Sequence, residues 1–329
     1  MAGEPLRLGI LGAARIAPMA LIAPARRVAS ATVVAVAARD AARAQAFATR
    51  HGVPRVHASY EALLADPEIE AVYNPLPNSL HAEWTVRALE AGKHVLCEKP
   101  FAARAAEAET MARAAERTGR VLMEAFHYRY HRLFARMREV LRAGELGAVR
   151  HLEATFCIPI LRRDDIRWRA DLAGGALMDA GCYAVHLLRH LAEAEPEVVS
   201  ARAVWTRGGV DRWLTTDLRF PGERTARLTC ALLSATFLRI SARVVGDAGS
   251  LRVLNWVAPQ FFHRLRVATT SGTRVERVKG AASYDEQLRA FVAAVRDGTP
   301  FPTPPSDAIA NMRAIDAIYR AAGRAGDQR

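Results

Sequence analysis

Short apolar runs alternate with helical stretches through the first 124 residues. "RLGILG" (7–12) reads as a strand followed by a helix through about residue 23, and "ATVVAVAAR" (31–39) as a second strand. "DAARAQAFATRHG" (40–52) reads as a helix capped by Asp40 and ended by Gly52. "AVYNPLP" then leads into "SLHAEWTVRALEAG", "HVLCEKP" into "AAEAETMARAAERTG", and "RVLMEA" closes the series. Fully apolar strands alternating with amphipathic helices predict a parallel sheet covered on both faces.

After His131 the pattern changes. One helix (132–143) precedes strand-like runs near 148–160, 197–206, 213–220, 225–234, 237–246, 250–257, 261–269 and 273–279. Turn signals such as "GDAGS" (246–250) join several of them, so the succession predicts a large mixed or antiparallel sheet. Two helices follow, "YDEQLRAFVAAVRDG" and "DAIANMRAIDAIYRAAG", the second with Ile309, Met312, Ile315 and Tyr319 at helical spacing. With 329 residues, more than one core ordinarily serves, the expected division is a domain over 1–124 and another over 125–329.

The formal charge of +12 raises the question of nucleic acid, since clustered cations gain affinity by releasing counterions from phosphates. Here the arginines are spread along the chain, without a basic tail, zinc-ligand spacing or interleaved aromatics, so the reading is no nucleic acid and attraction of an anionic cofactor instead. Cys97, Cys157, Cys182 and Cys230 stand far apart, at no metal-ligand spacing, and are expected to be reduced, buried thiols with no metal. No leader pattern and no run of about 18 apolar residues is present, so no membrane partner and a cytoplasmic location are expected.

Three places carry candidate chemistry. In "LGILGAARIA" a strand meets Gly12, Ala14 and Ala17 in the order of a G-x-G-x-x-G/A turn, whose small residues and following helix N-terminus hold a pyrophosphate; Arg15 and Ile16 lie inside it. The second strand ends in "VAVAARD", where an NAD-selective site usually carries an acid; Arg39 stands there instead and can pair with a 2′-phosphate, which favours NADP while leaving NAD open. Lys99 is one of only three lysines in an arginine-rich chain, and it follows an apolar strand at the end where parallel sheets take ligands. The Lys99–Pro100 bond is expected to be cis, because the loop must turn sharply while aiming the lysine inward. In "GGALMDAGCYAVHLLRHL" (174–191), paired glycines admit close backbone approach, and Asp179, Tyr183 and His186 share one face of an ideal helix.

"GILGAARIA", "CEKP", "GGALMDAGCY" and "DAIANMRAIDAIYRAAG", in that order, resemble the Gfo/Idh/MocA oxidoreductase family over essentially the whole chain, with its dihydrodiol-dehydrogenase and sugar-ketoreductase branches nearest. The resemblance implies an α/β protein: a Rossmann domain followed by an α/β domain with a large open, mostly antiparallel sheet, whose face often forms a homodimer or homotetramer interface. It implies that Glu98 and Lys99 belong to the EKP motif, that Asp179 matches the family aspartate, and that Tyr183 occupies a position where many members carry histidine. By the same resemblance, Pro75, Asn78 and His81 in "NPLPNSLHAEW" border the nicotinamide, where the residues alone read equally as a capped helix start; His127 lines the substrate pocket; and Trp168 lies near cofactor or substrate, where the residue alone reads rather as an aromatic core anchor.

The expected function is hydride transfer between NAD(P), with NADP favoured, and a secondary alcohol, hemiacetal or dihydrodiol of a sugar-like small molecule. Lys99, Tyr183 and Asp179 are the candidate catalytic groups, and Lys99, His127, Asp179, Tyr183 and His186 the candidate substrate contacts. Two other readings are a redox-silent nicotinamide sensor and an NAD-dependent glycosidase with transient oxidation.

Overall fold

Leu6, Leu8, Ile10 and Leu11 are fully buried in β1 (Leu6–Leu11), as a strand covered on both faces requires. In the computed structural model, which describes residues 4–324, β1 is central to a six-stranded sheet with β2 (Ala31–Ala37), β3 (Arg55–His57), β4 (Ala71–Asn74), β5 (His94–Cys97) and β6 (Leu122–Glu124). Every pairing is parallel and the order is β3-β2-β1-β4-β5-β6. The strand order reverses between β1 and β4, and the crevice outside the carboxyl ends there is where such sheets bind dinucleotides.

The connecting helices are α1 (Ala23–Ala25), α2 (Ala41–His51), α3 (Tyr60–Ala65), α4 (His81–Glu90) and α5 (Ala105–Thr118). Asp40 caps α2 by accepting from the Arg43 N–H at 3.0 Å, and Gly52 ends it with φ 70°, both as expected. The first predicted helix is broken up. A wide π turn spans Pro18–Ile22 before α1, and the prolines at 18 and 24 supply no N–H to a regular ladder. β3 and α3 went unpredicted, because three half-buried residues and a six-residue helix present too little periodicity. Ser59, which caps α3 through the Ala62 N–H, is the local signal for it.

The second sheet is built from β7 (Val149–Cys157), β8 (Glu197–Trp205), β9 (Asp211–Phe220), β10 (Arg224–Ala231), β11 (Arg239–Gly246), β12 (Gly249–Leu254), β13 (Arg264–Thr269) and β14 (Gly272–Glu276). Its order is β14-β13-β12-β11-β7-β10-β9-β8, and β7 with β10 is the one parallel pair. Alternation gives it a buried face of Leu152, Ala154, Leu214, Leu218, Ala226 and Leu228. Helices α6 (Arg132–Arg142) and α7 (Cys182–Ala192) belong to the same unit. The four cysteines are buried free thiols.

The chain ends in α8 (Ser283–Asp297) and α9 (Pro305–Ala321). The expected division at residue 124 needs correction: the first compact unit runs to Tyr130 and takes in Ala282–Ile309, while the second holds His131–Ala281 and the described residues 310–324. Tyr284, Leu288, Phe291 and Val292 of α8 join the core formed by Leu8, Ile10 and Leu21. Asp285 accepts from Arg27 Nε and Nη2 at 2.8 and 2.6 Å. An apolar stripe on α8 completes the core of a sheet more than 150 residues earlier in the chain, which local pattern cannot reveal.

Candidate active site

The turn after β1 has the conformation a dinucleotide cradle needs. Gly12 sits at φ +92° and its N–H donates to the Ala37 carbonyl at 2.7 Å; a Cβ there would also come within 3.0 Å of Leu76 Cδ2. Ala14 and Ile16 are half-buried, Arg15 is exposed, and the Met19 and Ala20 N–H groups close onto the Ile16 carbonyl to begin the wide turn. Arg39 is exposed at the end of β2. Tyr60 stands beside it: burial raises its phenol, and the Arg39 charge and N–H oppose the rise. Arg43, not singled out in the sequence, donates from Nη2 to the Ala13 carbonyl at 3.0 Å, bringing a second guanidinium to the turn. These features fit a phosphorylated dinucleotide: a close-approach glycine, a helix start and two arginines where an acid would repel phosphate.

After β5 the chain reaches Glu98 and Lys99, and the Lys99–Pro100 bond is cis, as expected. Glu98 is buried and accepts from the Tyr73 hydroxyl at 2.6 Å; its other oxygen accepts from the Lys99 N–H at 3.3 Å. Tyr73 was not predicted as a site residue, since within β4 it reads as one more apolar position. Tyr284 of α8 also senses Glu98: burial, then that carboxylate, pushes its phenol upward. Lys99 itself is half-buried.

His81 is not presented to a ligand. It is buried with Nε2 2.7 Å from the Leu76 carbonyl and Nδ1 2.8 Å from the Pro100 carbonyl, tying the loop after β4 to the loop after β5. Burial lowers the ring to about 4 against the pull of those two carbonyls, and the Lys99 charge adds to the lowering. Asn74 completes this frame, donating to the His81 carbonyl and Thr85 Oγ1. Pro75 is buried and Asn78, opening a short 3₁₀ turn, is half-buried. His127 is likewise built into the framework, stacked on Tyr284 with ring centroids 4.0 Å apart and its Nδ1 2.8 Å from Ser283 Oγ. Both contacts join it to α8, and the ring is buried.

In the second unit, the paired glycines admit the chain's own groups. A Cβ on Gly174 would lie 2.4 Å from the Arg167 carbonyl, and one on Gly175 2.1 Å from Asp211 Oδ1. The segment is not one regular helix: a π turn spans Leu177–Gly181 and α7 begins at Cys182. The single face predicted for Asp179, Tyr183 and His186 therefore holds only for the last two, because the wide turn displaces Asp179. Asp179 accepts from Arg167 Nε at 2.7 Å, while Arg167 Nη1 donates to Asp165 Oδ1 at 3.0 Å. The Asp179 charge shifts Arg167 further toward its charged form, and burial opposes it. Tyr183 is buried with its ring edge-on to Phe156 and Trp256, at 5.6 and 6.5 Å. His186, the other candidate substrate contact on this segment, is 0% exposed, with its ring 4.4 Å from that of His190. Trp168 is half-exposed, not a core anchor.

Fold and turn define a dinucleotide-binding oxidoreductase. The chain belongs to the Gfo/Idh/MocA family: residues 6–126 match the oxidoreductase family with the NAD-binding Rossmann fold, and residues 134–252 the GFO/IDH/MocA C-terminal domain. It is 38% identical to D-xylose 1-dehydrogenase (NADP(+)) 2 of Haloferax volcanii, over 96% of this chain and 97% of that one. It is 35% identical to trans-1,2-dihydrobenzene-1,2-diol dehydrogenase of Xenopus laevis over 67% of this chain and 66% of that protein. A 3-ketoreductase from Actinomadura kijaniata, solved with NADP and TDP-benzene, superposes with a TM-score of 0.91 at 30% identity, over 97% of this chain and 98% of that one. Among the described residues no helix is long and apolar enough to cross a membrane.

Proposed function

We propose that the protein is an NADP-preferring oxidoreductase that interconverts a secondary alcohol, hemiacetal or dihydrodiol of a sugar-like molecule with its carbonyl form. The observation that carries this reading is Lys99, on the loop at the carboxyl end of β5, in a sheet whose dinucleotide turn is intact. Support for the substrate class comes from relatives named for D-xylose, a dihydrobenzenediol and a dTDP-linked didehydro-dideoxyglucose.

Bound NADP supplies a hydride acceptor or donor. Arg39 and Arg43 would hold the 2′-phosphate, and the Gly12 turn with the following amides would hold the pyrophosphate. Lys99 donates from its ammonium to the reacting oxygen, and Tyr183 takes or returns the hydroxyl proton. In the oxidative direction the carbinol C–H bond would break with its electron pair going to the oxidised nicotinamide, the O–H proton would pass to the Tyr183 oxygen in its phenolate form, and a C=O would remain. Asp179, held by Arg167, orients a substrate hydroxyl.

The outer face of the second sheet exposes Leu254 and Val275, which supports self-association of two or four copies through it. Sedimentation of the full chain tests that: a monomer at micromolar concentration contradicts it. The activity is tested by following reduced-cofactor absorbance over sugars, keto-sugars and dihydrodiols with NAD and NADP in parallel. Turnover preferring NADP supports the reading. Tight cofactor binding with no turnover on the whole panel returns the redox-silent sensor.

A further inference from the structure

Asp211 is a carboxylate where an apolar or amide side chain would be cheaper. It opens β9, is 1% exposed, and accepts from two directions: the Leu177 N–H reaches Oδ2 at 2.8 Å and the Tyr319 hydroxyl reaches Oδ1 at 2.8 Å. Two converging donors need an acceptor-only group; an asparagine could satisfy one and would direct its own N–H₂ at the other. The Leu177 amide opens the wide turn that carries Asp179 and runs into α7 at Cys182. Gly175, at φ +136°, leaves just enough room for the carboxylate, since a Cβ there would fall 2.1 Å from Oδ1 and 2.8 Å from the Tyr319 oxygen. Tyr319 is itself fixed, with the Arg324 guanidinium 4.4 Å from its ring centroid and the Trp205 ring 5.9 Å away.

We infer that Asp211, locked by Tyr319, is a positioning residue: it anchors the first turn of the segment that presents Asp179 and Tyr183, and so sets the placement of the acid-base group. This rests on the reading of Tyr183 given above. A π turn has poorer hydrogen-bond geometry than an α-helical one and needs outside support to persist. Asp211 supplies it from β9, and the hydroxyl of Tyr319 keeps the carboxylate from rotating away. The groups facing Asp211 are the Leu177 amide, Tyr319 and Arg324 from α9 and its end, and the Cys230 thiol from β10. Burial holds the carboxyl up at about 6 against those donors and the Arg324 charge, so it is ionised at neutral pH.

The test uses the full chain with Asp211→Asn and, because that variant disturbs a buried site, the milder Tyr319→Phe. Amide hydrogen exchange over 177–183 is measured without substrate, alongside NADP binding and kcat against pH. Both variants should speed exchange of that segment roughly tenfold or more, leave exchange in β1–β6 and the NADP dissociation constant within about twofold, and lower kcat by on the order of 10²-fold, the effect of a misplacement of about 1 Å. In Asp211→Asn any kcat decline through pH 6 should disappear. Wild-type protection of 177–183 in both variants overturns the anchor whatever the reaction. Faster exchange with unchanged kcat on a substrate that the wild type turns over overturns the positioning role. Faster exchange in a protein whose wild type turns over nothing supports the anchor and overturns the catalytic reading of Tyr183.

Discussion

Arg167 Nε donates to Asp179 Oδ2 at 2.7 Å, so this aspartate is held by a cation twelve residues earlier in the sequence. Asp165 shares the same guanidinium through Nη1 and also accepts from the Arg167 N–H, which fixes the approach of the arginine. Removing the guanidinium takes a charged donor from a mostly buried carboxylate. Arg167→Ala should destabilise the protein by about 1.5–3 kcal/mol, the range for a hydrogen bond to a charged group. In a double-mutant cycle with Asp179→Asn, the urea midpoints should show coupling of similar size. Additive losses would mean that the pair contributes nothing as a pair.

Lys99 and Tyr183 should behave as one catalytic unit. Tyr183→Phe is expected to reduce kcat by on the order of 10²–10⁴-fold with cofactor affinity preserved, and Lys99→Ala to act similarly. Lysine presents a compact, rotatable ammonium, whereas arginine spreads its charge over a plane, so Lys99→Arg should not restore turnover. The double variant should be little worse than the poorer single one. Multiplying losses, read from steady-state rates, would separate the two roles.

Arg39 and Arg43 should set the preference for NADP. Replacing either with alanine is expected to cost about 1.5–3 kcal/mol of NADP affinity. NAD lacks the 2′-phosphate, so its affinity should hardly move. Titration calorimetry with both cofactors decides the matter, and equal losses for the two would take the arginines out of the phosphate site.

Asp211 should make stability fall as pH rises through the weakly acidic range. Its carboxyl lies at about 6 in the folded chain against 3.8 for a free aspartate, mainly because of burial. Below about 4 both states hold the proton; between about 4 and 6 the unfolded chain releases it first, which favours unfolding; above about 6 the loss is complete. The full change amounts to roughly 3 kcal/mol. Urea unfolding of wild type and Asp211→Asn from pH 3.5 to 7.5 should show this decline as the difference between the two curves. Parallel curves would rule it out.

Much of this protein is written locally. Apolar strands between amphipathic helices gave the parallel sheet, and the regular succession of short strands gave the second one, because periods of two and 3.6 residues are set by backbone geometry within a few residues. Asp40 and Gly52 mark the ends of α2 for the same reason. The glycine turn after β1 and the cis Lys99–Pro100 bond are also legible, since each depends on residue type at fixed spacing, whereas the wide turn at Leu177–Gly181 is not. What the sequence could not show depends on distant partners. Tyr319 and Asp211 stand 108 residues apart, and the α8 stripe belongs to the core of the first sheet, not the second. His81, His127 and His186 look alike as residues, yet tertiary packing buries all three: His81 between two carbonyls, His127 against Tyr284 and Ser283, and His186 inside α7's core face. A side chain's type limits the bonds it can make; which of them it makes is decided by the groups that folding brings within about 3 Å.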